Sequence, residues 1–184
     1  IKALQQIREQ DALCLVVRDF QNPAIEGDPD PLHDVEAFHT ECILADLDLV
    51  ERRLARAHRE KAPMLEQGAF ELMKDTLENG RPLRSLPESE LHRDPLRGYG
   101  FLTDRALLVA LNRDESRSAE PMPGNLADRI AALDAAGMVL SASVEAEIAA
   151  LKPEEQAAFL EDLGLSESAL TRFIRTAYGL LDLI

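Results

Sequence analysis

Two runs of uninterrupted apolar residues constrain this chain more than any other feature. The first, Ala12-Leu13-Cys14-Leu15-Val16-Val17, contains β-branched side chains and is bounded by charge on both sides. The second, Ala106-Leu107-Leu108-Val109-Ala110-Leu111, is also flanked by charge. Neither alternates apolar with polar residues, as a strand with one wet face does. Both therefore predict strands buried on two faces, the pattern of a parallel sheet. Met138-Val139-Leu140 predicts a short third strand. It follows an amphipathic segment over Leu126–Ala136 that puts Ile130 and Leu133 on its buried side. Strand, helices, strand, helix, strand, helix is the order of an α/β fold with a parallel sheet.

Between the first two strands the periodicity changes. After the loop QNPAIEGDPDPLHD, residues Ile43, Leu47, Val50, Leu54, Ala57 and Lys61 follow at spacings of 4, 3, 4, 3 and 4. The positions between them are charged: Asp46, Asp48, Glu51, Arg52, Arg53, Arg56, Arg59 and Glu60. A narrow apolar seam on a charged helix needs a partner helix. Pro63 interrupts the pattern, because proline removes a helix donor and clashes with the preceding turn. Met64–Glu78 predicts the second helix, carrying Leu65, Leu72, Met73 and Leu77 and stopped by Asn79-Gly80. The pair predicts an antiparallel coiled-coil hairpin. Residues 81–100 read as irregular. Beyond the third strand, Pro153 with Glu154 and Glu155 opens a helix that Gly164 ends. Ser166-Glu167 opens a last one, with Leu170, Phe173, Ile174, Ala177 and Leu181 on its apolar side. The chain begins at Ile1 and ends at Leu183-Ile184 without polar fall-off, so a piece of a longer protein is expected.

Charge narrows the function classes. The 184 residues carry 20 Lys+Arg against 34 Asp+Glu, and 20 − 34 is −14. Such a chain is a poor general binder of phosphate backbones, so specific DNA binding is not expected. The basic side of the hairpin (Arg52, Arg53, Arg56, Arg59 and Lys61) is the local exception that could meet RNA, with a solvated flank as the plain alternative. No apolar run reaches the roughly 18–20 residues of a bilayer span, and no membrane partner is expected. Cys14 and Cys42 make no disulfide framework, and a cytoplasmic location is expected.

Few residues offer chemistry. Neither GxxxxGK[ST] nor GxGxxG occurs, and no Ser or Cys sits in a nucleophile elbow. His33, His39, His58 and His92 do not pair at metal-ligand spacing. His39 and Cys42, three apart, read as a solvated first turn of the hairpin. What remains stands at strand ends. Asn112-Arg113-Asp114-Glu115 follows the second strand, and Ser141-Ala142-Ser143 follows the third. In open α/β sheets, ligands sit beyond the carboxyl ends of strands. An amide donates and accepts at once, so Asn112 can read a purine edge, while a neighbouring carboxylate accepts from an amino group. On spacing alone, an Asn that caps a turn is the alternative.

The stretches ALCLVVRDFQNPAI, GDPDPLHDVEAFHTECILADLDLVERRL, VALNRDE, VLSASVEAEIAALKPEEQAAFLEDLGL and LTRFIRTAYGLLDLI resemble the YchF (Obg-like) ATPases, a branch of the P-loop NTPases. The resemblance covers essentially the whole chain. It implies a partial P-loop NTPase domain, residues 1–34 and 99–184, interrupted by a coiled-coil insertion over residues 35–98. The P-loop, the switch regions that hold Mg²⁺ and a small TGS domain would lie outside these residues. Asn112-Arg113-Asp114-Glu115 falls on the family's NxxE motif, which goes with ATP preference, GTP being the alternative. Phe20 falls on a position implied to stack on adenine. Arg113 falls on the position that covers the other face of the base, commonly apolar in the family. Ser141, Ala142 and Ser143 fall on the second base-side loop. The resemblance implies no catalytic residue among those present, and a fragment inactive by itself. For the parent protein it implies ATP hydrolysis at the ribosome. The rival expectation is a non-catalytic coiled-coil module that docks on the ribosome or on protein partners.

Overall fold

The computed structural model describes residues 6–181. Strands β1 (Ala12–Asp19), β2 (Ala106–Arg113) and β3 (Ala136–Leu140) form one sheet in the order β1-β2-β3. β2 and β3 run parallel, with Leu108 opposite Ala136 and Asn112 opposite Leu140. Parallel neighbours need a crossover, and helix α3 (Gly124–Ala132) lies on it. The α/β class expected from the sequence is the class observed. β2 is buried from Leu107 to Leu111, as an uninterrupted apolar run requires.

β1 departs from its expectation. Leu13 and Val17 are buried, but Val16 is 60% exposed and Cys14 is exposed as well. Side chains alternate across a strand, so Cys14 and Val16 share one face of β1, and it is open at its middle. An apolar run marks a strand suited to burial on both faces, and no described element covers this one.

The chain divides into two compact units. The first comprises Ile1–Leu13 and Glu36–Ala106. Its frame is a pair of helices, α1 (Pro31–Glu60), whose first turn belongs to the other unit, and α2 (Met64–Glu78). Lys61, at φ 53°, turns the chain between them. His39 pairs with the Gly80 carbonyl at 2.9 Å, Glu51 with Lys74 at 3.5 Å and His58 with Glu71 at 3.7 Å. Partners that converge in number toward the turn make the helices antiparallel, as expected. Ile43, Val50 and Ala57 of the predicted seam are buried, and Phe70, Met73 and Leu77 come from the facing helix. Leu65, predicted on that side, is 80% exposed.

A third layer covers the hairpin. Leu83, Leu86, Leu91 and Phe101 join the same core cluster. Their packing widens the buried stripe of α1, so Asp46 is fully buried and not part of a charged flank. His39 and Cys42, read as solvated, are buried as well. Asp46 accepts from Leu102 N (3.1 Å), Thr103 N (2.7 Å), Thr103 Oγ1 (2.9 Å) and Arg8 Nη1 (2.9 Å). Gly100, at φ +63°, fits beside Arg8, where a Cβ would stand 3.0 Å from the Arg8 carbonyl oxygen.

The second unit comprises Cys14–Val35 and Leu107–Ile184. It carries α3, α4 (Ala142–Ala150), α5 (Pro153–Asp162) and α6 (Ala169–Leu180). Leu126, Ile130 and Leu133 are buried on α3, as the amphipathic pattern predicts. Ala169 of α6 packs with Leu108, Ala110 and Met138, flanked by Phe173 and Leu180. The last helix starts later than expected, because Ser168 caps it by accepting from Thr171 N. Its buried side is narrower too: Leu170 is 62% exposed and Ile174 49%. Among the described residues, no helix is long and apolar enough to cross a membrane.

Candidate functional site

The register of β2 and β3 makes their carboxyl ends level, and this places the two candidate loops side by side. Asn112 lies opposite Leu140, so the segment starting at Ser141 leaves the sheet next to it. Asn112 Oδ1 accepts from Ala142 N at 3.0 Å, across 30 residues of sequence. This bond occupies one acceptor position of the amide oxygen. Its Nδ2 donors have no partner among the described residues and stay available to an acceptor on a ligand. Ser141 is buried, with its Oγ 2.9 Å from Ser143 Oγ, and its carbonyl accepts from Glu145 N at 3.0 Å to start α4. Ala142 and Ser143 are exposed at the front of that helix.

Glu115 is exposed and opens a short 3₁₀ turn, Glu115–Arg117. It borders a depression of about 550 Å³ together with Asp114, Ser116, Ser118, Ala119, Asp162 and Leu163. Three carboxylates on one rim repel a phosphate chain and favour a group that donates hydrogen bonds. Phe20 is partly exposed just past β1, and its carbonyl accepts from Arg18 Nη1 at 2.9 Å.

Arg113 occupies a different place from the one implied for it. Its side chain is only 3% exposed. Nε donates to Asp19 Oδ2 at 2.7 Å, and Nη1 donates to the carbonyls of Glu120 (3.1 Å) and Pro121 (2.9 Å). A guanidinium committed inward in this way does not cover a base. Arg117 meets the same carboxylate, with Nη2 3.1 Å from Asp19 Oδ1. Sequence reasoning missed Asp19 and Arg117. The signal was slight: an acid closing β1 and two arginines four apart after β2. Glu145 was missed as well. Its carboxylate accepts from Ala169 N (2.6 Å) and Leu170 N (3.1 Å), fastening α6 to α4. Among the described residues, no three His, Cys, Asp or Glu side chains gather as a metal site.

Comparison with known proteins finds relatives of the chain. No protein-family model matches the chain. The ribosome-binding ATPase YchF of Bacillus subtilis is 34% identical over 99% of the chain and 53% of its own length. Its namesake in Haemophilus ducreyi is 39% identical over the same shares, and that of Escherichia coli O157:H7 is 35% identical over 98% of the chain. The chain thus spans about half the length of these curated relatives. The solved structure of the Schizosaccharomyces pombe YchF GTPase superposes with a TM-score of 0.84 at 24% identity, covering 97% of the chain and 52% of that protein. That likeness carries the fold, and the sequence matches carry the kinship. Aligned almost end to end with relatives 34–39% identical to it, the chain belongs to the YchF family.

Proposed function

We propose that this chain is the base-recognising part of a ribosome-associated, cytoplasmic nucleoside triphosphatase that binds and hydrolyses ATP, with GTP as the alternative. The observation that carries the reading is the bond from Ala142 N to Asn112 Oδ1. It joins the two loops that the family resemblance assigns to the base and leaves the Nδ2 donors of Asn112 for a ligand. Residues 1–34 and 99–184 are then segments of the nucleotide domain, and residues 35–98 the helical arm. The phosphate loop and the Mg²⁺ ligands come from sequence outside this chain. They would stabilise charge while water attacks the γ-phosphate. Asn112, Glu115, Phe20 and the Ser141–Ser143 loop select and orient the base. In the full-length protein, Asn112→Ala is expected to weaken ATP binding about tenfold, the scale of one to two hydrogen bonds. Unchanged affinity by calorimetry would remove the base-reading role.

A second reading concerns the arm. Arg52 and Arg56 are paired with Asp48 (2.8 Å) and Glu60 (2.9 Å), whereas Arg59 and Lys61 have no ion pair among the described residues. Beside them at the hairpin turn, Met64 is 88% exposed and Leu65 80%. Unpaired cations next to bare apolar side chains suit a docking contact with ribosomal RNA. Salt-sensitive co-sedimentation with ribosomes, lost on Arg59→Glu/Lys61→Glu, tests it. Co-sedimentation unaffected by the double change refutes it.

A further inference from the structure

One carboxylate at the end of β1 holds the segment that follows β2. Asp19 closes β1 immediately before Phe20, and its side chain is 14% exposed. Its Oδ2 accepts from Arg113 Nε at 2.7 Å, and its Oδ1 lies 3.1 Å from Arg117 Nη2. Arg117 also donates to the Asp19 main-chain carbonyl. Arg113 extends the hold with Nη1, donating to the carbonyls of Glu120 and Pro121 where the loop after β2 turns back. Asn112 and Glu115 therefore lie on a segment pinned at positions 113, 117 and 120–121, and Phe20 follows the pinning residue directly.

We propose that Asp19 is a positioning residue for base recognition, acting through Arg113 and Arg117. The inference rests on the reading given under Proposed function. The physical argument is one of burial. Arg113, 3% exposed, keeps a cation away from water; Asp19 pairs with it at 2.7 Å and the exposed Glu120 carboxylate stands farther off at 3.7 Å, so the charge is tolerable only while the close partner is present. When the partner is removed, the guanidinium must drag its loop toward solvent. Neighbouring residues alternate across a strand, so the Arg113 side chain leaves the sheet opposite that of Asn112. The clamp can thus act on the site without occupying it. Arg117 is 37% exposed and can turn to water, so it contributes less to the hold.

The test uses the full-length protein and two probes, ATP and inorganic tripolyphosphate. Tripolyphosphate reports the phosphate side alone. Asp19→Asn is expected to weaken ATP binding about tenfold and to leave tripolyphosphate affinity within about twofold, since only the base-side loops lose their anchor. Asp19→Glu keeps a carboxylate for both guanidinium groups, so it is expected to hold ATP affinity within about threefold of the wild type. Unchanged ATP affinity in Asp19→Asn overturns the proposal. Equal loss of both probes overturns it too, because that marks general damage. An Asp19→Glu variant no better than Asp19→Asn does the same. The underlying reading fails separately: a wild-type protein that binds ATP no more tightly than tripolyphosphate recognises no base at all.

Discussion

Removing the Asp46 carboxylate should cost the first unit a large share of its stability. The side chain is fully buried and accepts four hydrogen bonds, two from main-chain N–H groups of Leu102 and Thr103. In Asp46→Ala those two donors lose their acceptor in a closed interior, at about 1–3 kcal/mol each. Arg8 keeps the carbonyls of Gly100 (2.8 Å) and Ala45 (3.2 Å), so its loss is smaller. The sum is about 4 kcal/mol, against the roughly 5–15 kcal/mol that holds a whole domain together. Asp46→Asn keeps one acceptor oxygen. The cheaper flip turns Nδ2 toward Thr103, whose hydroxyl rotates to accept while its N–H is left facing another donor. About 2–3 kcal/mol is expected for that variant. Urea unfolding, with amide exchange at Leu102 and Thr103 as the local readout, measures both. In a melt, 4 kcal/mol corresponds to about 8–16 °C for a chain of this size. A cost below about 1 kcal/mol for Asp46→Ala, or a larger cost for Asn than for Ala, would refute the account of this carboxylate as the tie between α1 and the chain at 102–103.

Three further outcomes follow from the cysteines and from Glu145. Burial, reinforced by the negative charge of Asp46, pushes the Cys42 thiol from its ordinary 9.0 up to about 12. The folded state therefore holds its proton more tightly than the unfolded chain. The stability this contributes is complete below pH 9 and is lost as pH rises toward about 12. Urea midpoints should fall over that window and fall less in Cys42→Ala. In the native protein near neutral pH, mass spectrometry after iodoacetamide should find Cys14 modified before Cys42, since Cys14 is exposed, though desolvation raises its thiol too. Glu145→Ala removes the acceptor for Ala169 N and Leu170 N and should cost about 1–2 kcal/mol. Faster amide exchange in the first turn of α6, with α3 unchanged, checks it.

What the sequence determined by itself is what local pattern can encode. Leu107–Leu111 is buried because a run with no polar position has no face to offer water. Ile43, Val50 and Ala57 meet α2 because a seam recurring every three and four residues fits a partner helix. Strand ends drew attention to Asn112 and to Ser141–Ser143, and the parallel register of β2 and β3 places those segments within one hydrogen bond. Tertiary structure decided the rest. The open face of β1 has the same composition whether covered or not, so Cys14 and Val16 gave no sign of their exposure. Asp46 reads as one more charge on a charged helix until residues 102 and 103 arrive with two N–H groups. Arg113 reads as a base cover until Asp19, 94 residues earlier, takes its guanidinium. Charge and hydropathy along a helix or strand report what a position can tolerate. Which partner meets it is fixed only when distant segments close around it, because desolvation is imposed by neighbours in space.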